Sequence, residues 1–172
     1  IRNTALRGIF PVPHGRGSVT KERVETSYLD FITRLVDISK ISAEGARLPD
    51  GQEFVSGEKK LRVVFDTGNG MLALLLPKLL ERIPAIEPEI LYGDVDMTFP
   101  NHEANPLKEE TLGALKQKMR EWHADLGAAF DGDGDRVRFV TSSGFAIPGD
   151  ITEAFFIQHL FRISDFQQNA GD

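Results

Sequence analysis

Asp131-Gly132-Asp133-Gly134-Asp135-Arg136 sets three carboxylates on alternate positions, separated only by glycine. Charges this close repel, and each raises the pKa of the others unless a cation sits among them. Carboxylate oxygens are hard donors that suit magnesium, calcium or manganese rather than thiophilic metals. Glycine at 132 and 134 allows positive φ, so the loop can curl its acids inward. A loop that grips a divalent cation is the chemistry this pattern serves. A hairpin turn needs only one Asp-Gly pair, and further acids there would add repulsion to no purpose. An EF-hand loop fails on spacing: its sixth position should be glycine and is Arg136, and its twelfth should be glutamate and is Ser142.

Other chemistry-bearing residues are less organised. Gly68-x-Gly70-x-x-Ala73 is a loose match to the dinucleotide fingerprint. Asp66 and Thr67 intervene between strand and first glycine, however, and no acidic residue is cleanly placed to hold a ribose, so a flexible strand-to-helix turn accounts for it better. His14, His102, His123 and His159 lack ligand spacing and are expected to be surface or capping residues. Ser142 and Ser143 have no histidine or lysine that would activate them as nucleophiles. Phe99 to Pro106 reads as a rigid loop leading into a helix.

The elements that must carry the acidic loop follow from hydrophobic periodicity. Residues 1–17, with Gly8, Pro11, Pro13, Gly15 and Gly17, read as an irregular tail. A helix over residues 20–38 is capped by Thr20 and presents Val24, Tyr28, Leu29, Ile32, Leu35 and Val36 at helical spacing. Residues 43–59 have the composition of a linker or surface loop. From Lys60 onward, strands and helices alternate. Leu61–Phe65 is a short strand, and Met71–Leu80 is so apolar that it reads as a buried helix, with Pro77 as a kink or early-turn residue. Ile86–Tyr92 is a second strand. The next helix has Asn105 as its N-cap and Pro106 at its first position, with Glu109 and Glu110 early and Lys116, Lys118 and Arg120 late. Leu112, Leu115, Met119 and Trp122 form its inward stripe. Leu126–Phe130 is a third strand that feeds the acidic loop, and Val137–Thr141 returns after a tight connection as an antiparallel fourth. Asp150 and Glu153 resemble a capping box for a last helix through Phe155, Phe156 and Leu160.

This alternation predicts a three-layer α/β/α sandwich around a mixed four-stranded sheet whose last strand is antiparallel. Ligands of such sheets collect beyond the carboxyl ends of the strands, where the acidic loop falls. The chain of 172 residues can bury one good core. Its net charge of −6 argues against nucleic acid or an anionic membrane as partner. Without cysteine it has no disulfide, thiolate metal site or cysteine nucleophile, which fits a cytoplasmic setting. No apolar run approaches the length of a membrane span. A start at Ile1 rather than methionine suggests a piece of something longer.

In this setting Asp131–Arg136 resembles the metal-binding loop of the α-D-phosphohexomutases, the phosphomannomutase and phosphoglucomutase enzymes. Leu61-Arg-Val-Val-Phe-Asp66-Thr-Gly-Asn-Gly70 is similar to the strand and turn that open their second domain. Phe99-Pro-Asn-His102, Asn105-Pro106 and Ala124-Asp-Leu-Gly127 follow in the same order, so the likeness covers about residues 60–150. The resemblance implies that residues 1–41 hold the end of a preceding domain and a connecting helix, and that residues 42–172 are the metal-binding second domain. It further implies Mg²⁺ on Asp131, Asp133 and Asp135, completed by a phosphoserine oxygen from another domain, with Arg136 as a catalytic residue beside the phosphoryl group. The full-length parent would interconvert hexose 1-phosphate and hexose 6-phosphate, and the other domains of the same chain would be partners of this one. The segment at Phe99–Pro106 is closer to the phosphomannomutase/phosphoglucomutase branch than to the phosphoglucosamine branch. Serine, sugar and phosphate-clamp loops of that family are not found in these residues, so the piece alone is expected to be inactive. Asp131 and Asp133 would also suit the Asp-x-Asp pair of a haloacid-dehalogenase-type phosphatase, although Asp135 and the strand after the loop depart from that pattern. A non-catalytic module held together by its metal is the third alternative.

Overall fold

A computed structural model describes residues 2–8, 17–35 and 60–162. The expected loop at 43–59, together with Val36, His14 and the last ten residues, lies outside the described residues. The tail expected to be irregular contains a short helix, α1 (Arg2–Arg7). Ala5, Leu6 and the arginines favour helix, and Gly8 at φ 62° ends it in the left-handed conformation. Helix α2 (Glu25–Leu35) starts four residues later than a Thr20 cap would place it. An isolated helix this short is marginal in water, so it persists where it is anchored. Glu25 pairs with Lys78, and Asp30 meets Arg82 at 2.6 Å. Only part of the expected stripe is used: Leu29 is buried, while Val24 and Tyr28 remain exposed.

Strand β1 (Leu61–Asp66) is the centre of the domain. A 3-10 turn (Met71–Leu74) and the short helix α3 (Leu76–Leu80) replace the single helix expected over 71–80. Pro77 has no N–H to continue a helix, but it fits the first turn of a new one, which is where it sits. The segment is also less buried than its composition suggests, with Met71 43% and Leu74 54% exposed. Strand β2 (Ile86–Leu91) follows. The helix expected from Asn105 begins later, as a 3-10 turn (Glu109–Leu112) leading into α4 (Gly113–Trp122). Asn105 does not cap it. Its Oδ1 accepts the Leu107 N–H at 3.2 Å, a local turn that competes with helix, and Thr111 Oγ1 donates to the carbonyls of Asn105 and Lys108. Strands β3 (Leu126–Phe130) and β4 (Val137–Thr141) have the expected limits. Helix α5 (Gly149–Arg162) is present, but Asp150 lies within its first turn and accepts the N–H of Ile151, so no capping box forms.

The sheet order is β2-β1-β3-β4, with β1 parallel to both neighbours and β4 antiparallel to β3. Alternate residues of a strand face opposite sides, and both sides of β1 are covered. Val64, Ala129 and Val140 pack beneath Leu112, Leu115 and Met119 of the α4 segment. Val63, Phe65 and Ala128 pack against Leu76 and Leu80. Helices on both faces of a mixed sheet make the three-layer sandwich. From β1 the chain steps outward to β2 and later returns on the other side as β3, so the connections diverge between β1 and β3. That divergence opens a crevice at their carboxyl ends. Asp66 closes β1 opposite Ala129, and Asp131 follows the end of β3 two residues further along. Among the described residues, no helix is long and apolar enough to cross a membrane.

Candidate metal centre

Asp131 is the buried root of the acidic loop, 1% exposed, at the end of a strand whose preceding alanines are buried. The loop wraps around this carboxylate. Its Oδ1 accepts the N–H groups of Gly134 and Arg136, both at 3.1 Å, and its Oδ2 accepts from Arg136 Nε at 2.6 Å. Gly134 at φ 77° makes the bend that brings these donors round. The Asp131 N–H donates to the Arg136 carbonyl at 3.3 Å and closes the loop's neck. Asp133 and Asp135 stand exposed on the rim.

One carboxylate oxygen from each of Asp131, Asp133 and Asp135 lies within 4.8 Å of the other two. An ion with oxygen ligands at about 2.1 Å spans roughly 4.2 Å between opposite ligands, and one at about 2.4 Å spans roughly 4.8 Å. Three ligands of one ion cannot all stand opposite one another, so the exposed Asp133 and Asp135 must draw in toward Asp131 for the trio to hold a single hard dication. Each carboxylate oxygen offers two lone pairs, so Asp131 Oδ2 can serve both Arg136 and an ion.

The buried and the exposed carboxyls are shifted in opposite directions. Burial pushes the Asp131 carboxyl up, but the backbone and guanidinium of Arg136 outweigh it and hold the group below the ordinary aspartate value. Asp135 is pushed the other way, by its hydrogen bond with Asp131 and then by the charges of Asp133 and Asp131. Arg136 Nε lies 3.6 Å from Asp135 as well as on Asp131, so the guanidinium partly neutralises the trio. The side chain is still half exposed.

Two other segments fix the height of this loop. The turn after β1 runs underneath it: the Met71 N–H donates to the Gly132 carbonyl at 2.8 Å. A Cβ on Gly70 would stand 2.7 Å from that same oxygen. The segment after β2 covers it from the side, with Phe99 Cζ 3.1 Å from where a Gly132 Cβ would be. Ala104 lies over both Gly68 and Gly132. Asn69 joins the two supports, accepting from Asn101 Nδ2 at 2.7 Å and donating to the Asp94 carbonyl at 2.9 Å. The glycines at 68 and 70 thus serve a tight turn against other backbone, as the sequence suggested.

Sequence reasoning missed Asp66 and His102. His102 is neither a surface nor a capping residue: its side chain is 17% exposed and faces the Asp66 carboxylate, itself 1% exposed. The two are 36 positions apart, and no spacing rule pairs them. The available signal was Asp66 itself, an acid ending a buried apolar strand. His123 does match its expected role, closing α4 at φ 53°.

A family model described as "Phosphoglucomutase/phosphomannomutase, alpha/beta/alpha domain II" matches residues 26–144. A phosphomannomutase/phosphoglucomutase of Pseudomonas syringae pv. tomato is 47% identical over 113 residues, covering 66% of this chain and 23% of that protein. The protein of the same description from Pseudomonas aeruginosa is 36% identical over 131 residues, 76% of this chain and 27% of its own length. Among solved structures, a phosphoglucomutase/phosphomannomutase family protein from Burkholderia thailandensis superposes with a TM-score of 0.64 at 29% identity. That match covers 85% of this chain and 27% of the other. The chain spans about a quarter of the length of the curated relatives it matches.

Proposed function

The chain belongs to the phosphoglucomutase/phosphomannomutase family, and from that membership we propose that it is the Mg²⁺-binding second domain of a phosphohexomutase. The observation that carries this reading is the trio of oxygens within 4.8 Å at the carboxyl end of β3, inside the segment matched to domain II. Asp131, Asp133 and Asp135 hold the ion. Residues 42–172 constitute this domain, and residues 1–41 contain the end of its predecessor and the connecting helix. The whole protein interconverts hexose 1-phosphate and hexose 6-phosphate through a phosphoserine carried by another domain. Phosphoryl transfer depends mainly on positioning and on neutralising oxygen charge, which a bound dication supplies. Arg136 contributes in the same sense: with Nε anchored on Asp131, the rest of its half-exposed guanidinium is free to meet a phosphoryl oxygen. The family's serine, sugar and phosphate-clamp loops are not found among these residues, so this chain alone does not turn over hexose phosphate.

Calorimetric titration of the chain with Mn²⁺ and Mg²⁺ tests the metal assignment. One site is expected, and it is lost in Asp133→Asn with the metal-free fold unchanged. Absence of binding at millimolar metal would remove the reading. Turnover of p-nitrophenyl phosphate by the chain with Mg²⁺ would replace the mutase reading with a phosphatase one. In the full-length protein, Asp133→Asn and Arg136→Ala are each expected to reduce mutase turnover by at least about a hundredfold.

A further inference from the structure

His102 is held at both ring nitrogens. Nδ1 lies 2.8 Å from the carbonyl of Glu103, a group that only accepts. Nε2 lies 3.1 Å and 3.2 Å from the two oxygens of Asp66. Donation from both ring nitrogens satisfies both partners at once, and that form of the ring is an imidazolium facing the buried Asp66 side chain. Asp66 Oδ1 also accepts the Gly68 N–H at 2.9 Å, so the same carboxylate shapes the turn at 67–70. His102 thus joins the end of β1 to the segment that follows β2. These are the two backbone segments that touch Gly132 of the acidic loop, one through Gly70 and Met71, the other through Phe99 and Ala104.

We infer that Asp66 and His102 are positioning residues for the acidic loop, a charged clamp that holds together the two supports on which Gly132 rests. The inference rests on the metal reading for its consequence, because a loop held at one height keeps its acids in reach of a single ion. It does not rest on that reading for its geometry.

The surroundings of His102 favour the charged ring. Its hydrogen bond to Asp66 raises its pKa, burial opposes this, and the Glu103 carbonyl and the Asp66 charge raise it further. Tyr92, from the end of β2, meets the ring edge-on with centroids 5.2 Å apart. The Tyr92 phenol is itself raised, by burial and then by the Asp66 charge, and stays neutral. The Glu103 carboxylate turns away to Lys108. Asp66 is thus the carboxylate the ring faces. When the ring loses its proton, one of its two hydrogen bonds must go, because a neutral imidazole donates only once.

The test is a pH titration of the metal-free 172-residue chain by NMR, paired with Mn²⁺ binding. The His102 Cε1 proton should titrate above the ordinary histidine midpoint of about 6.5, and the amides of Gly68, Gly70 and Gly132 should show an inflection at that same midpoint. His102→Gln keeps one donor without a charge, so it should fold, lose the shared inflection and bind Mn²⁺ about tenfold more weakly. Asp66→Asn should keep the shape of the turn while lowering the His102 midpoint. No inflection at Gly132 when His102 titrates, or wild-type Mn²⁺ affinity in both variants, would overturn the inference. A shared inflection in a wild-type chain that fails to bind Mn²⁺ would support the clamp and refute the metal reading.

Discussion

Gly70→Ala isolates how closely the acidic loop is held. Gly70 has φ −84° and ψ −177°, extended backbone that alanine adopts freely, so the substitution carries no conformational penalty of its own. Its cost is steric. An added Cβ would lie 2.7 Å from the Gly132 carbonyl oxygen and 3.0 Å from both the Asp131 oxygen and Gly132 Cα. Ordinary contact begins near 3.4 Å, so the two backbones must separate by about 0.7 Å (3.4 − 2.7), and no flexible side chain is present to yield instead. The 2.8 Å hydrogen bond from Met71 to Gly132 would stretch beyond useful length. Losing it costs about 1 kcal/mol and overpacking about 1–3 kcal/mol, a total of about 2–4 kcal/mol. Metal constellations tolerate displacements of about 0.5 Å, so Mn²⁺ affinity should also fall, by about tenfold or more. Urea unfolding and Mn²⁺ titration read the two effects separately. Gly113→Ala is the control: nothing lies within 4 Å of its added methyl, and stability should hold or rise slightly. If Gly70→Ala matches wild type in both urea midpoint and Mn²⁺ affinity, the loop does not rest on this turn and the reasoning fails.

Gly127→Ala drives its methyl into Met119 Sδ and within 3.2 and 3.3 Å of the two Leu115 methyls, so urea unfolding should show an overpacking loss of about 1–3 kcal/mol with Mn²⁺ affinity unchanged. Asp133 is exposed, so Asp133→Asn should leave metal-free stability within about 0.5 kcal/mol of wild type. The same change should abolish the stabilisation that Mg²⁺ at a hundred times its Kd confers, about 2.7 kcal/mol by thermal melt. Stability should also depend on pH in two windows. His102 is raised in the fold, so its contribution is complete below the unfolded value of about 6.5 and is lost as pH rises through the folded value. Asp131 is lowered, so its contribution is complete above the unfolded value of about 3.9 and is lost as pH falls through the folded one. His102→Gln should remove the first loss and leave the second, which urea midpoints across pH would show.

The parts of the fold that depend on local pattern were legible. β3 and β4 could be bounded to the residue because an apolar run meets the Asp-Gly loop on one side and a serine-glycine turn on the other. The stripe at Leu112, Leu115, Met119 and Trp122 packs as its spacing requires, even though the helix starts later than its apparent cap. Helix starts were the weak point. Asn105 and Asp150 spend their oxygens on nearby backbone N–H groups rather than on a helix start, a local choice that residue type alone does not decide. The acidic trio could be read because its members are sequence neighbours. Asp66 and His102 could not, because their encounter depends on strand order: only when β2 and β3 flank β1 do the segments after β1 and β2 meet beside the loop after β3.

Burial of one acid and exposure of the other two explain why three can stay so close without unfolding the loop. Repulsion among exposed carboxylates is cheap in water, and Asp133 and Asp135 are left there. The expensive charge is Asp131, and the chain meets its needs with two backbone N–H groups and a guanidinium before any ion arrives. The loop is therefore shaped in advance by its buried acid, and its rim acids are left with unspent lone pairs. An ion that binds there need not order the backbone. It has only to draw two exposed side chains toward a third that is already fixed, and in doing so it lowers the raised pKa of Asp135. Metal uptake should accordingly release protons in the acid range where Asp135 is still partly protonated, and the release should vanish in Asp135→Asn. Calorimetry in buffers of different ionisation enthalpy measures it directly, and a proton count that does not change with this substitution would place the linkage on another group.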